Sequence, residues 1–197
     1  DCADEWCKIR KVYDYLQTHT RYFYVGLGIG GWQPAAASEV DRLKYGDCKG
    51  LSNYMVDMLQ AVGVPAHYAI IRAGADAQSE QFPDFPNAWF NHIIVCVPLE
   101  KDTVWLECTS QTESCGFLGD FTDNRPALLI TPEDGKLVTT PRYDETQNTI
   151  RRETEVTLTA DGRATLPLRG AGGQAITEDL AWGHDWAATA VGVGADV

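Results

Sequence analysis

The feature that most constrains this chain is the segment at residues 45–53, YGDCKGLSN, in which a loop passes directly into a helix. Asp47 is a good N-cap, because its carboxylate can accept a hydrogen bond from a free backbone N–H of the first helical turn. From Leu51 onward apolar residues recur at three- and four-residue spacing, and a Gly-Val-Pro sequence at residues 63–65 ends the pattern. The segment therefore predicts a helix that begins at Cys48.

The cysteine at the start of this helix has two interpretations. The positive end of the helix dipole stabilises a thiolate, the nucleophilic form of the side chain, so Cys48 is a candidate catalytic residue. A free cysteine is also among the residue types most often buried, and Cys48 would then be a small apolar core residue. The helix alone does not decide between the two interpretations, so the rest of the chain has to be considered.

The charge balance argues against two classes of partner. The 197 residues include 28 acidic and 16 basic side chains, a net charge of −12, whereas nucleic acids and anionic membrane surfaces are bound by basic faces. The longest uncharged stretch, residues 23–38, is interrupted by four glycines and a proline, so we expect no membrane insertion. The chain starts without methionine or a signal-peptide pattern, and we expect it to be part of a longer multidomain chain.

Hydrophobic periodicity predicts helices followed by strands in one core domain. Helical spacing predicts a first helix over residues 4–18 and a short one over residues 35–44, ahead of the cysteine helix. Alternating and β-branched runs predict strands at residues 21–25, 66–72, 91–97, 103–108, 127–130 and 135–139. A short turn at residues 100–102 makes the fourth of these strands return antiparallel to the third.

The chain changes character after the last of these strands. Polar sequence gives way to apolar side chains that alternate on either side of Asp161 and Gly162. Asp-Gly between two alternating runs is a strong β-hairpin signal, and a lone hairpin needs a larger sheet to join. We therefore expect a core domain at residues 1–140 and a C-terminal β-hairpin segment at residues 141–197 that belongs to a following, truncated domain.

Two further side chains are candidates for the chemistry of the cysteine. His92 lies near the start of one predicted strand and Glu107 at the end of the next, and antiparallel pairing brings these two ends together. A carboxylate beside an imidazole orients the ring and stabilises its protonated form. If the sheet packs on the cysteine helix, His92 can accept the proton of Cys48. Each residue alone could be structural, but the three together favour a Cys–His–acid triad.

These segments resemble the transglutaminase-like superfamily, in particular a bacterial branch found C-terminal to a β-sandwich domain of unknown function. The similar segments are YGDCKG at residues 45–50, FNH at 90–92 and WLECT at 105–109. The resemblance implies an α+β, papain-like fold in which the cysteine helix packs on an antiparallel sheet. It also implies Cys48 as nucleophile, His92 as base and Glu107 as the orienting acid, at a position where the family more often has aspartate.

The resemblance suggests weaker roles for other polar and aromatic residues. Gln33, upstream of the cysteine, is a candidate for an oxyanion hole shared with the Cys48 backbone N–H, although it could equally be an ordinary loop glutamine. Trp32, together with Phe85 and Trp89 from a long loop, is a candidate for the wall of a substrate cleft. The family needs no cofactor and no metal, and it implies a periplasmic or secreted location.

The other cysteines also need an interpretation. If His92 and Glu107 face the same side of the sheet, strand alternation places Cys96 and Cys108 on opposite sides, which argues against a disulfide between them. Pairing of Cys2 with Cys7, or of Cys108 with Cys115, remains open without support. We expect free thiols at these positions.

The leading hypothesis is a cysteine enzyme that takes the acyl group of an amide in a peptide or protein substrate. The acyl group then passes to water or to an amine, and we expect hydrolysis, because cross-linking requires a cleft that keeps water from the thioester. The alternative is a non-catalytic binding or scaffolding module of a larger envelope protein. A third hypothesis is a metal site formed by Cys48, His92 and Cys96.

Overall fold

The computed structural model describes residues 2, 4–74, 90–147, 157–158, 163–169 and 175–181. The chain forms two compact units, residues 1–143 and residues 144–197. The first unit combines helices with an antiparallel sheet, and this confirms the α+β fold class.

Three helices of the first unit form where the apolar periodicity predicts them, at Glu5–His19 (α1), Ala37–Leu43 (α2) and Cys48–Ala61 (α3). Asp4 caps α1, because its carboxylate accepts a hydrogen bond from the backbone N–H of Cys7 at 2.7 Å. Gly63 lies just beyond α3 with a φ of +77°, a left-handed conformation that glycine adopts without steric cost. The helix predictions are confirmed, with small shifts at their ends.

A disulfide joins Cys2 and Cys7, and the prediction of free thiols at these two positions was wrong. The physical reason is the start of α1. Because Asp4 caps that helix, Cys7 lies in its first turn, and its Cα atom is 5.4 Å from that of Cys2, a separation that a disulfide spans. The cysteines at positions 48, 96, 108 and 115 are free.

The sheet of the first unit consists of antiparallel strands at His67–Ile71 (β3), His92–Pro98 (β4), Thr103–Leu106 (β5), Pro126–Ile130 (β6) and Gly135–Thr139 (β7). Their order across the sheet is β5-β4-β3-β6-β7. A small parallel pair, Arg21–Tyr22 (β1) and Tyr45–Gly46 (β2), lies just ahead of α3. A one-turn helix, Gly119–Thr122 (α4), precedes β6. Strand β4 has neighbours on both sides, and its apolar run is buried.

Apolar side chains pack on both faces of this sheet. On the face that carries α1 and α3 the buried residues include Ile9, Leu16, Met55, Leu59, Val95 and Leu106. On the other face they include Ala69, Ile94, Trp105 and Leu118. Each large side chain removed from water contributes about 1.5–3 kcal/mol to folding. Cys108 belongs to the first cluster and Cys96 to the second, which confirms that the two thiols face opposite sides.

The second unit contains an antiparallel sheet of three described strands, at Thr157–Leu158 (β8), Arg163–Arg169 (β9) and Ala175–Ala181 (β10). The pairing of β8 with β9 confirms the predicted hairpin, whereas the predicted turn residues Asp161 and Gly162 lie outside the described residues. Strand β10 was not predicted, because it lies in a tail rich in glycine and alanine. None of the described helices is long and apolar enough to cross a membrane.

Candidate active site

Cys48 is the first residue of α3 and is half-buried. The carboxylate of Asp47 caps the helix by accepting from the backbone N–H of Gly50 at 3.0 Å, and it also forms an ion pair with Lys49. Cys48 therefore lies at the positive end of a fourteen-residue helix. The sequence prediction of the helix start and its cap is confirmed.

The glycine before this helix allows the tight entry that the sequence suggested. A Cβ atom at Gly46 would lie 3.3 Å from the backbone nitrogen of Leu51, closer than nine in ten real Cβ contacts. Gly46 also pairs with Tyr22 across β1 and β2, and its carbonyl accepts from the N–H of Phe23 at 2.9 Å. The segment ahead of Cys48 is thus held on both sides by backbone, which fixes the start of α3.

His92 and Glu107 form a buried pair at the ends of β4 and β5. The Nε2 atom of His92 lies 2.9 Å from one carboxylate oxygen of Glu107 and 3.1 Å from the other. The side chains are only 8% and 3% exposed, so water screens the interaction weakly. The structure thus brings the two strand ends together, as the antiparallel pairing predicted.

Cys48 also lies close to His92, since it is one of the groups that raise the pKa of the imidazole. Because Glu107 occupies Nε2, the ring nitrogen that remains for the sulfur is Nδ1. The structure shows the contact between His92 and Glu107, and Cys48 lies near this pair.

Two helix side chains hold the strands that carry this pair. Tyr13 of α1 donates its hydroxyl to the backbone carbonyl of Glu107 at 2.8 Å in the interior. Ser52 of α3, one turn after the cysteine, donates to the carbonyl of Ile93 at 3.3 Å. These bonds connect the helices directly to the backbone that carries Glu107 and to the residue after His92, so the helix–strand geometry is fixed by polar contacts as well as by packing.

Thr109 holds the carboxylate of Glu107 and was not assigned a role from the sequence. Its backbone N–H and its hydroxyl both donate to Oε1 of Glu107, at 3.0 and 2.6 Å. Oε2 is the oxygen nearer to Nε2 of His92, at 2.9 Å. The signal was available in principle, since a threonine two residues after an acid can bond back to it, but only the position of His92 makes that bond informative.

Ionisation equilibria in the site follow from these contacts. Burial by itself lowers the pKa of His92, but hydrogen bonds with Cys48 and Glu107 and the negative charges of both outweigh it and raise the pKa from 6.5 to about 9. Burial raises the pKa of Glu107, but the hydrogen bonds from His92 and Thr109 and the charge on His92 hold it below its usual value. A charged His92–Glu107 pair is therefore the stable form at neutral pH.

The remaining free thiols differ in their surroundings. Burial raises the pKa of Cys96 to about 12 and that of Cys115 to about 11. Burial and the nearby charge of Glu107 also raise the pKa of Cys108. At neutral pH these three thiols are therefore protonated.

An aromatic ring that the sequence analysis did not assign packs on His92. Phe121 of α4 meets the imidazole edge to face with ring centres 5.2 Å apart, and it remains 46% exposed. Arg125 fixes this region, because its buried guanidinium donates to the carbonyls of Arg72, Gly74, Asp120 and Asp123. The exposed side of Phe121 therefore forms one wall beside the imidazole.

The weaker sequence candidates lie in different places. Gln33 lines a cavity of about 220 Å³ together with Gly46, whose position in the chain is two residues before the cysteine. Trp32, the residue before Gln33 in the chain, is 82% exposed. Phe85 and Trp89 lie outside the described residues.

The metal-site hypothesis finds no matching geometry in the part of the chain that the structure describes. There, no three histidine, cysteine, aspartate or glutamate side chains are grouped so as to hold a metal ion. Cys96, one of its proposed ligands, is buried in the cluster on the sheet face away from α3.

The sequence of this chain matches the model of a known protein family. The family model described as the transglutaminase-like superfamily matches residues 1–111, more than half of the chain. The chain belongs to the transglutaminase-like superfamily. The matched span includes the cysteine, the histidine and the acid of the buried cluster. No curated protein matches the sequence.

A solved structure supports the transglutaminase-like fold. It comes from Parabacteroides distasonis ATCC 8503, is described as a "putative protease", and aligns with a TM-score of 0.53 at 14% identity. The alignment covers 72% of this chain but 25% of the other, so the present chain spans about a quarter of that protein's length. At this identity the likeness shows the fold alone.

Proposed function

We propose that this transglutaminase-like domain is a cysteine-dependent acyl-transfer enzyme that acts on amide bonds of peptide or protein substrates. The observation that carries the proposal is the buried contact between His92 and Glu107, with Cys48 at the start of α3 close to the same imidazole. A nucleophile, a base and an orienting acid in hydrogen-bond contact are the requirement for covalent catalysis of this kind.

The proposed reaction begins with Cys48 as thiolate and His92 as imidazolium. The sulfur attacks the carbonyl carbon of the amide, a C–S bond forms, and the carbonyl electrons move onto oxygen. The intermediate collapses as the C–N bond breaks, and the leaving nitrogen takes the proton of the imidazolium. In the second half His92 takes a proton from water, the water oxygen attacks the thioester, and the C–S bond breaks to restore the thiolate.

Charge development at the carbonyl oxygen requires hydrogen-bond donors. The backbone N–H of Cys48 is one of the free donors of the first helical turn, and such groups stabilise an oxyanion. Gln33 is proposed as the second donor, and its place in the cavity beside Gly46 supports this role.

We propose hydrolysis as the fate of the thioester. Phe121, which packs on His92, is 46% exposed, and an open site of this kind admits water to the thioester. The description of the Parabacteroides distasonis protein as a "putative protease" is consistent with this choice.

The test supplies a glutaminyl peptide with and without a primary amine, and separately a library of peptides and cell-wall fragments. The matched control is Cys48→Ala. We expect cleavage or deamidation that depends on Cys48 and does not need the amine. Amine incorporation would replace hydrolysis by transfer, and the absence of covalent chemistry on every substrate would favour the binding-module alternative.

A periplasmic or secreted location is part of the proposal. Disulfides persist in oxidising compartments and are rare where glutathione keeps thiols reduced, and the Cys2–Cys7 disulfide supports this location. The measurement is maleimide labelling of the protein trapped directly from its native host. Labelling of both cysteines without prior reduction would contradict the proposed location.

A further inference from the structure

An exposed apolar segment begins next to the candidate active site, and the proposed reaction does not use it. The large exposed side chains between residues 22 and 32 are Tyr22, Phe23, Tyr24, Val25, Leu27, Ile29 and Trp32. We call residues 22–32 the aromatic strip. It carries no charged side chain, in a protein whose net charge is −12. Contiguous exposed apolar surface of this kind marks a binding site more often than chance.

The strip is continuous with the catalytic segment. Tyr22 pairs with Gly46, and the N–H of Phe23 donates to the carbonyl of Gly46, two residues before Cys48. Burial and then the charge of Cys48 raise the pKa of Tyr22. A molecule bound along the strip would therefore extend toward the nucleophile.

One edge of strand β1 is directed away from β2. Arg21 and Phe23 donate their N–H groups to the carbonyls of Lys44 and Gly46. Because neighbouring residues of a strand point their backbone groups to opposite sides, the N–H and carbonyl of Tyr22 face the other edge. That edge presents hydrogen-bonding groups which an extended peptide can pair with.

The most exposed aromatic side chain near this edge is supported from beneath. The ring of Tyr24 lies on the backbone of Gly26, where any Cβ atom would collide with it, and the residue is 72% exposed. Phe23, 59% exposed, is held edge to face against Tyr45. Both rings are supported on one side and open on the other, which is the arrangement of a surface that receives apolar side chains.

We propose that the aromatic strip is the subsite for an extended peptide substrate with an aromatic or large aliphatic side chain close to the bond that Cys48 attacks. This inference rests on the proposed function and adds the substrate class. Backbone pairing along β1 would supply affinity, and the rings of Phe23 and Tyr24 would supply the preference for apolar side chains. An uncharged surface on an acidic protein fits a neutral apolar peptide segment.

The experiment uses short peptides that carry a chloroacetamide group. Each peptide has phenylalanine, glycine or glutamate at one of the three positions next to that group. The rate of Cys48 alkylation is measured by mass spectrometry in the wild type, Phe23→Ser, Tyr24→Ser and the control Leu137→Ser, which changes an exposed side chain on the edge strand β7. We expect the best phenylalanine peptide to react about tenfold faster than its glycine counterpart, a difference of 1.4 kcal/mol. That advantage should disappear in both strip variants and remain in the control.

A second comparison tests the pairing along β1. N-methylation of a single peptide amide should remove the rate advantage of the phenylalanine peptide when that amide faces β1. N-methylation of the next amide along, which faces away from β1, should leave the advantage unchanged. Equal rates for all side chains, or an advantage that persists in both strip variants, would overturn the inference.

Two controls separate this inference from the proposed function. Iodoacetamide, which needs no subsite, should alkylate Cys48 at the same rate in all four proteins. Fluorescence anisotropy with the phenylalanine peptide lacking the chloroacetamide, in a Cys48→Ala background, reports binding without chemistry. If binding depends on the aromatic strip but Cys48 is unreactive, the proposed enzyme function is refuted and the peptide-binding surface is retained. If Cys48 is reactive but binding does not depend on the strip, only the peptide-binding surface is refuted.

Discussion

The substitution Glu107→Gln gives the sharpest test of the site, because the contacts of the carboxylate determine how an amide would sit. Thr109 donates twice to Oε1, so the oxygen of the glutamine should take that position. Its NH₂ group then faces Nε2 of His92 and can only donate. The imidazole must accept there, its proton moves to Nδ1, and the ring presents N–H to the sulfur when it should accept the proton of the thiol.

The expected magnitude follows from the pKa of His92. The rise from 6.5 to about 9 corresponds to about 3 kcal/mol of stabilisation of the imidazolium, and Glu107 and Cys48 share it. Loss of the carboxylate charge should lower the pKa of His92 by about 1 to 2. Together with the wrong tautomer, this should lower kcat by about 10³–10⁴-fold, the scale of such an exchange in a catalytic triad.

The assay is the pH dependence of kcat/KM on any peptide substrate that the proposed function yields. The imidazolium is fully present at low pH and is lost as pH rises through its pKa, so wild-type activity should fall on the alkaline side with a midpoint near 9. The variant should fall at lower pH. Glu107→Asp retains the charge and is the matched control, with a smaller loss and an alkaline midpoint closer to the wild type.

Two results would refute the reasoning. Turnover of Glu107→Gln within a few-fold of the wild type would remove Glu107 from the site. An unchanged alkaline midpoint with a large loss of kcat would show that the carboxylate does not set the pKa of His92. Circular dichroism and urea unfolding of each variant exclude loss of the fold as the cause.

Three further predictions concern reactivity, stability and domain structure. Iodoacetamide at neutral pH should label Cys48 well before Cys115, which is also half-buried but has a pKa raised to about 11. Equal labelling of the two cysteines, measured by mass spectrometry, would contradict the assignment of Cys48 as the nucleophile. Arg125→Met leaves four backbone carbonyls without their guanidinium donor and should lower the free energy of unfolding, measured by urea titration, by about 3–5 kcal/mol. The control Arg42→Met replaces an exposed arginine and should change this free energy by less than about 0.5 kcal/mol. Truncation after Tyr143 should leave a folded domain with a reactive Cys48. A protein that ends at Pro141 should be less stable, because it lacks the Tyr143 hydroxyl that bonds the backbone of Leu118 and Gly116. If the protein that ends at Tyr143 is unfolded, the first unit needs the second in order to fold.

The sequence by itself determined the parts of this protein that depend on neighbouring residues. The start of α3 at Cys48 follows from the Asp47 cap and the spacing of apolar residues, both local properties. The meeting of His92 and Glu107 follows from a short turn between two alternating strands, which leaves one way for the strands to pair. Such features are encoded within a few residues, and sequence patterns read them directly.

The tertiary structure alone decided the contacts between distant segments. That Thr109 binds one oxygen of Glu107 while the other oxygen lies nearest His92 depends on how β4 and β5 end in space. The ring of Phe121 reaches His92 through a backbone that Arg125 fixes by binding the carbonyls of Arg72 and Gly74, which are far away in sequence. The aromatic strip reads in sequence as an irregular glycine-rich loop, and only its pairing with β2 places it beside the nucleophile. Long-range packing chooses among many arrangements that local patterns allow equally, and so it has no short sequence signature.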